Sequence, residues 1–144
     1  MDEFFNIIMG IFLLMEMTNV FALYFKKDSK LFNSTGIFKQ YHEAEKDKHL
    51  HDFVKYLINW VAGTKIIFIL IVIVVVIFGD KNLKIFTVFV LILSILTFYV
   101  GLFPLIRKMD KEDQLDPKGY SKTIFIMITA FIVILSLGMV SLLI

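Results

Sequence analysis

Glu16 and a run of histidines and carboxylates between residues 42 and 52 are the side chains of this sequence with the clearest chemical capacity. Glu16 lies inside the apolar stretch FFNIIMGIFLLMEMTNVFALYF, ten residues before Lys26. At ~1.5 Å of helical rise per residue it is ~15 Å from the nearer polar boundary, the middle of a bilayer. A carboxylate there is costly unless it is paired, protonated or facing water, so its default reading is an ion, proton or substrate site. Asn19 follows one turn later on the same helix face. Lys65 stands fourteen residues before Gly79, which puts it ~9 Å from the inner edge of a ~30 Å core. Tyr99 lies about 12 Å in from Arg107, and Thr97 and Thr129 fall at similar depth. Depth alone groups Glu16, Asn19, Lys65, Thr97 and Tyr99 as a candidate ion- or substrate-binding cluster, with a Glu16–Lys65 ion pair expected. The structural alternative is a hydrogen-bonded carboxyl that joins helices while Lys65 reaches toward the headgroups.

The segment YHEAEKDKHLHDF holds all three histidines. On a helix, His42, Glu45, His49 and Asp52 share an arc of about 80°. Imidazole and carboxylate together suit Zn²⁺ or Fe²⁺. The four span ~15 Å, so one ion can bridge only neighbours, His42–Glu45 or Glu45–His49. His42, Glu45 and His49 are therefore the candidate metal ligands, to be completed from Asp110, Glu112, Asp113 or Asp116. A solvated face carrying pairs such as Glu45–Lys48 is the bland alternative. Beyond such a metal, no cofactor is expected. Cysteine is absent, which removes thiolate metal sites and thiol nucleophiles. There is no glycine-rich phosphate loop, no protease motif and no histidine placed for an intramembrane haem.

The elements that must carry these residues are membrane helices. The chain has 144 residues, 58% of them hydrophobic, against about 45–50% for a soluble domain. The excess falls in four blocks of the length needed to cross a bilayer. The sequence predicts helices at 4–25, 57–78, 83–106 and 123–144, within one membrane domain covering 1–144. Polar loops of 26–56 and 107–122 separate them. Asn33-Ser34-Thr35-Gly36 reads as a turn. From Ile37 to Asp52 the spacing is that of an amphipathic helix, lying on the membrane or running into the second span. Gly79-Asp80-Lys81-Asn82 is a short turn, so the second and third spans must be antiparallel neighbours. Gly101 and Pro104 predict a kink, because Pro104 has no N–H for the carbonyl of Val100. Asp116-Pro117-Lys118-Gly119 suits a type I turn.

Lysine and arginine crowd the two long loops, while the other side has only Lys81, Lys84 and an acidic N-terminus. The positive-inside bias therefore predicts an all-α, up-down bundle of four transmembrane helices with both termini outside and an amphipathic cytoplasmic helix between the first two. Met1-Asp2-Glu3 is acidic where a signal peptide is basic, so the first helix is expected to stay in the mature protein. A multi-pass protein of the cell membrane follows, with membrane lipids and either further copies of itself or a partner membrane protein as its company, and no nucleic acid. Three functional classes fit these residues. They are a small oligomeric transporter or channel built on Glu16, a non-catalytic subunit of a membrane complex, and a metal-dependent enzyme acting on a lipid or amphiphile at the cytoplasmic face.

Overall fold

The computed structural model describes residues 2–30 and 35–144. Among them the chain forms α1 (Asp2–Phe25), a 3₁₀ turn (Thr35–Ile37), α2 (Lys39–Ala44), α3 (Lys48–Phe78), α4 (Lys81–Gly101), α5 (Phe103–Lys111) and α6 (Tyr120–Leu143). No strand is formed among the described residues. Four helical stretches, Glu3–Phe25, Lys48–Phe78, Lys81–Lys111 and Tyr120–Leu143, are long and apolar enough to cross a membrane. That is the construction of a multi-pass membrane protein, because helices satisfy their own backbone groups where water is absent.

Local chemistry sets the helix limits, and several differ from the sequence expectation. The second span begins at Lys48 rather than residue 57. Asp47 caps it, its Oδ1 accepting from the backbone of His49 at 2.9 Å and Leu50 at 3.2 Å. The same cap divides the amphipathic segment, so α2 ends at Ala44 and Ile37–Asp52 is not one helix. Asp80 caps α4 through the Leu83 N–H at 2.8 Å. The third span is interrupted at Leu102, beside Gly101 and Pro104, yet continues as α5 to Lys111 instead of ending at Ile106. The missing N–H of Pro104 accounts for the interruption. Asn33 and Ser34 of the expected turn lie outside the described residues.

α6 starts at Tyr120, three residues before the expected Thr123. Its cap comes from another helix. Asp110 of α5 is buried, and its carboxylate accepts from the backbone N–H of Gly119 at 2.7 Å and of Ser121 at 3.0 Å, and from the Ser121 hydroxyl. Gly119 takes the left-handed conformation, φ 86°, which glycine adopts without steric cost. The Asp116–Pro117 peptide is cis.

α1 is the central helix. It packs along α3 and α6, and α6 also packs along α4. Glu16 meets Lys65 while Lys27 meets Asn59, so α1 and α3 run antiparallel. Phe12 stands edge-on to Phe68 of α3 and Phe131 of α6, with centroids 6.3 Å and 5.8 Å away. Ile8 lies against Gly138 so closely that a Cβ there would sit 3.2 Å from its methyl. The apolar window of α1 is 39% buried within the chain, against 17% for each other span. The helix that lipid touches least is thus the one that carries Glu16 and Asn19.

On the polar side the two loops are fastened together. Phe38 and Leu115 form an antiparallel bridge, flanked by Lys39 N–H to Gln114 O at 3.0 Å and Asp116 N–H to Ile37 O at 2.8 Å. Lys30–Asp116 and Lys39–Asp113 add ion pairs at 2.6 Å and 2.8 Å.

Replacing Asp110 by alanine orphans the first donors of α6, at a cost of about 1–3 kcal/mol for each donor left buried. Hydrogen exchange of Asp110→Ala is expected to show early loss of protection confined to the start of α6. Unchanged protection there would remove Asp110 from its capping role.

Candidate functional site

The structure brings three of the five mid-membrane residues together. The Lys65 ammonium donates to Glu16 Oε2 at 2.7 Å and to Asn19 Oδ1 at 2.9 Å. Glu16 and Asn19 lie on one face of α1, three residues apart, and Lys65 comes from the facing side of α3. Asn19 is buried, while the side chains of Lys65 and Glu16 keep 32% and 20% of their surface. Two of the three ammonium donors are used in these bonds.

The polar trio stands between two largely apolar cavities. One of about 330 Å³ lies between α3 and α5, with Asn19 and Lys65 in its wall beside Val61, Leu102 and Ile106. The other, of about 290 Å³, has Glu16 in its wall with Phe12, Phe68, Ser94 and Phe131. A third space of about 70 Å³ sits beside the trio, next to Met127 and Ile128. The two partners of the ion pair therefore line different large cavities and share the small one.

Thr97 and Tyr99 are placed elsewhere. The Tyr99 hydroxyl is 2.7 Å from Thr129 Oγ1 and joins α4 to α6, and the Thr97 hydroxyl donates to Ser94 O of its own helix at 2.6 Å. Both ride on α4, which packs against α6, whereas the trio lies between α1 and α3. Equal depth did not mean adjacency. Ser94 is the polar one of three α4 residues, with Leu91 and Ile95, that share a cavity with Glu16. Its spacing carried no distinguishing signal.

A second polar layer lies toward the loops. Lys27 donates to Asn59 Oδ1 at 3.2 Å, and the Tyr24 hydroxyl reaches Asn59 O at 3.5 Å. Burial, with the Lys55 charge nearby, pushes the Lys27 ammonium below its ordinary pKa.

Of the proposed metal ligands, His42 and Glu45 are neighbours, His42 Nδ1 lying 3.8 Å from Glu45 Oε2. The third group beside them is Asp28, and one potential ligand atom from each of the three falls within 4.8 Å of the others. His49 lies beyond the Asp47 cap on α3 and is not of this group. Asp28 arrives from the far end of the loop, its backbone packed against Gly36 where any side chain would collide. The acids expected from the facing loop are engaged otherwise: Asp113 and Asp116 with lysines, Asp110 with α6, Glu112 with Gln114. All three members of the group are exposed.

Comparison with protein-family models, with curated proteins and with solved structures finds no match.

Two outcomes follow from these pairings. Lys65→Met leaves the Glu16 carboxylate unpaired within the span and is expected to cost stability on the order of the 3–5 kcal/mol seen when a buried pair loses one partner. The double variant Glu16→Gln/Lys65→Met should recover most of that loss in thermal unfolding. Equal loss in both variants would show that the pair does not couple. At the loops, the Lys39 and Lys30 ammonium groups hold the Asp113 and Asp116 carboxyls below their ordinary range. Their contribution is complete above the unfolded carboxyl pKa of about 3.9 and is lost as pH falls through the lower folded values. Protease access at the loops should therefore stay constant from neutral pH down to about pH 4 and rise only below it.

Proposed function

We propose that this chain is a small transporter or channel that works as a homo-oligomer in the cell membrane, with Glu16, Asn19 and Lys65 as its ion- or substrate-binding centre. The observation that carries this reading is the Lys65 ammonium bonded to Glu16 and Asn19 between two cavities. Ionisable residues inside a span are expensive and mark ion or substrate pathways. The distribution of lysine and arginine supports an up-down bundle with both termini outside and the basic loops in the cytoplasm. Four spans are few to enclose a path, so a second copy would complete its wall.

Lys65 acts in this reading as a tethered competitor. A cation that reaches Glu16 displaces the ammonium, which keeps Asn19 as its remaining partner. Return of the ammonium expels the cation. A site emptied by its own counter-charge binds weakly enough to release, as conduction and transport require.

A second reading, a metal-dependent enzyme at the cytoplasmic face, is favoured by the meeting of Asp28, His42 and Glu45. The third, a non-catalytic subunit of a membrane complex, would use the Glu16–Lys65 pair only to join helices.

Thermal unfolding of the purified protein in a panel of monovalent ions, Mg²⁺, Ca²⁺ and Zn²⁺ separates them. A ligand at a hundred times its dissociation constant stabilises the folded state by about 2.7 kcal/mol. Under the transport reading, one ion raises the midpoint in the wild type but not in Glu16→Gln, and the same ion crosses proteoliposomes only with the wild type. A Zn²⁺ shift that survives Glu16→Gln and disappears in His42→Ala moves the function to the metal reading. Unchanged midpoints throughout, with no flux, overturn both and leave the subunit reading.

A further inference from the structure

At the membrane boundary between α5 and α6 lies a cavity of about 310 Å³ that the mid-membrane site does not involve. Its wall carries Arg107, Lys111, Lys118 and Lys122, with Asp110 as the single carboxylate. Asp110 is occupied by the N–H groups of Gly119 and Ser121 and by the Ser121 hydroxyl. Lys118 has two acidic neighbours, Asp113 at 3.9 Å and the Asp110 carboxylate in the same wall. Among the described residues, Arg107, Lys111 and Lys122 make no ion pair. Four cations thus share one space with a single carboxylate in its wall, a surplus of positive charge that favours an anion there.

The surroundings identify the anion. Lys111, Arg107 and Phe103 follow one another at four-residue intervals and share a face of α5. Lys122 and Phe125 stand three apart on α6. The two faces converge below the cations, where the Phe103 and Phe125 rings meet with centroids 5.2 Å apart. Further along α6, Ile126 is exposed at 66%. The site is basic at headgroup level and turns aromatic and aliphatic with depth, on elements that continue into membrane spans. We propose that it binds the phosphate of an anionic membrane phospholipid, Arg107 gripping the phosphate oxygens with the lysines around it while the acyl chains descend over Phe125 and Ile126. Arginine's planar fork suits phosphate, and basic pockets between membrane helices bind anionic headgroups. The bound lipid would tie α5 to α6 at the joint that Asp110 already caps. This assignment does not depend on what Glu16 and Lys65 do.

The test is thermal unfolding of the full-length protein in detergent micelles titrated with phosphatidylglycerol, phosphatidylcholine or inorganic phosphate. Phosphatidylglycerol is expected to raise the midpoint saturably and phosphatidylcholine to leave it unchanged. Arg107→Gln/Lys122→Gln should shift half-saturation upward by roughly five-fold per charge removed, whereas Lys122→Arg, which keeps the charge, should respond nearly as the wild type does. Lys81→Gln/Lys84→Gln, at the opposite polar end, should behave as the wild type. Should the double glutamine variant not fold, native mass spectrometry of the wild type decides, with phosphatidylglycerol retained over phosphatidylcholine. The proposal is overturned if both lipids act or are retained equally, or if the double glutamine variant titrates like the wild type. It is also overturned if inorganic phosphate alone reproduces the full rise, because the site would then take a free anion.

Discussion

A carboxylate placed in hydrocarbon is costly unless it is paired, protonated or hydrated, and the bond from Lys65 to Glu16 supplies the pair. The arrangement of the spans follows from it. Glu16 needs a partner at its own depth, which brings α1 and α3 together in antiparallel register. It also needs distance from lipid, which α1 obtains by lying between α3 and α6. Around the pair the packing is aromatic and aliphatic, with Phe12 wedged between Phe68 and Phe131 and Ile8 seated on Gly138. Fill and charge are therefore organised about one helix. The other three spans bury less of their apolar surface within the chain, as suits helices that face lipid.

The polar face obeys a different constraint. Here carboxylates and lysines are abundant and exposed, so individual pairs contribute little, and order comes from backbone contacts. The Phe38–Leu115 bridge holds two loops of unlike sequence against each other, while the close approach of Gly36 to Asp28 closes the first and the Asp110 cap fastens the second to α6. These contacts bring Asp28 to His42 and Glu45. They also leave the cations of α5 and the start of α6 facing a common space.

Span number and approximate span position were legible in the sequence because apolar length is a one-dimensional property. Polar residues at helix ends were harder to place. Asp47 and Asp80 cap their helices by contacts within three residues, a short-range signal, yet Asp47 also divides a helical pattern that periodicity alone extends through it. Asp110 caps a helix other than its own, and no local pattern encodes that. The central trio was legible in depth, since residue count converts to ångströms along a helix. The neighbours of α4 were not, because depth carries no information about which helices adjoin. Thr97 and Tyr99 shared the right level, but Tyr99 met α6 and Thr97 bonded within its own helix. Asp28 escaped for a related reason: it lies fourteen residues from His42 and reaches it only through the folded loop.

α3 runs unbroken for 31 residues, from Lys48 to Phe78. At ~1.5 Å per residue it is about 46 Å long, more than a ~30 Å hydrocarbon core accommodates. Its first turns stand clear of the apolar region and carry His49, His51 and Asp52, while Lys65 sits within it. Helical hydrogen bonding makes this one stiff rod, with no hinge between the aqueous end and the buried ammonium. Anything that grips the exposed end, whether an ion, a protein or a headgroup, has mechanical purchase on the charge pair. A tilt of the rod by a few degrees moves Lys65 sideways relative to α1 without breaking a single backbone bond.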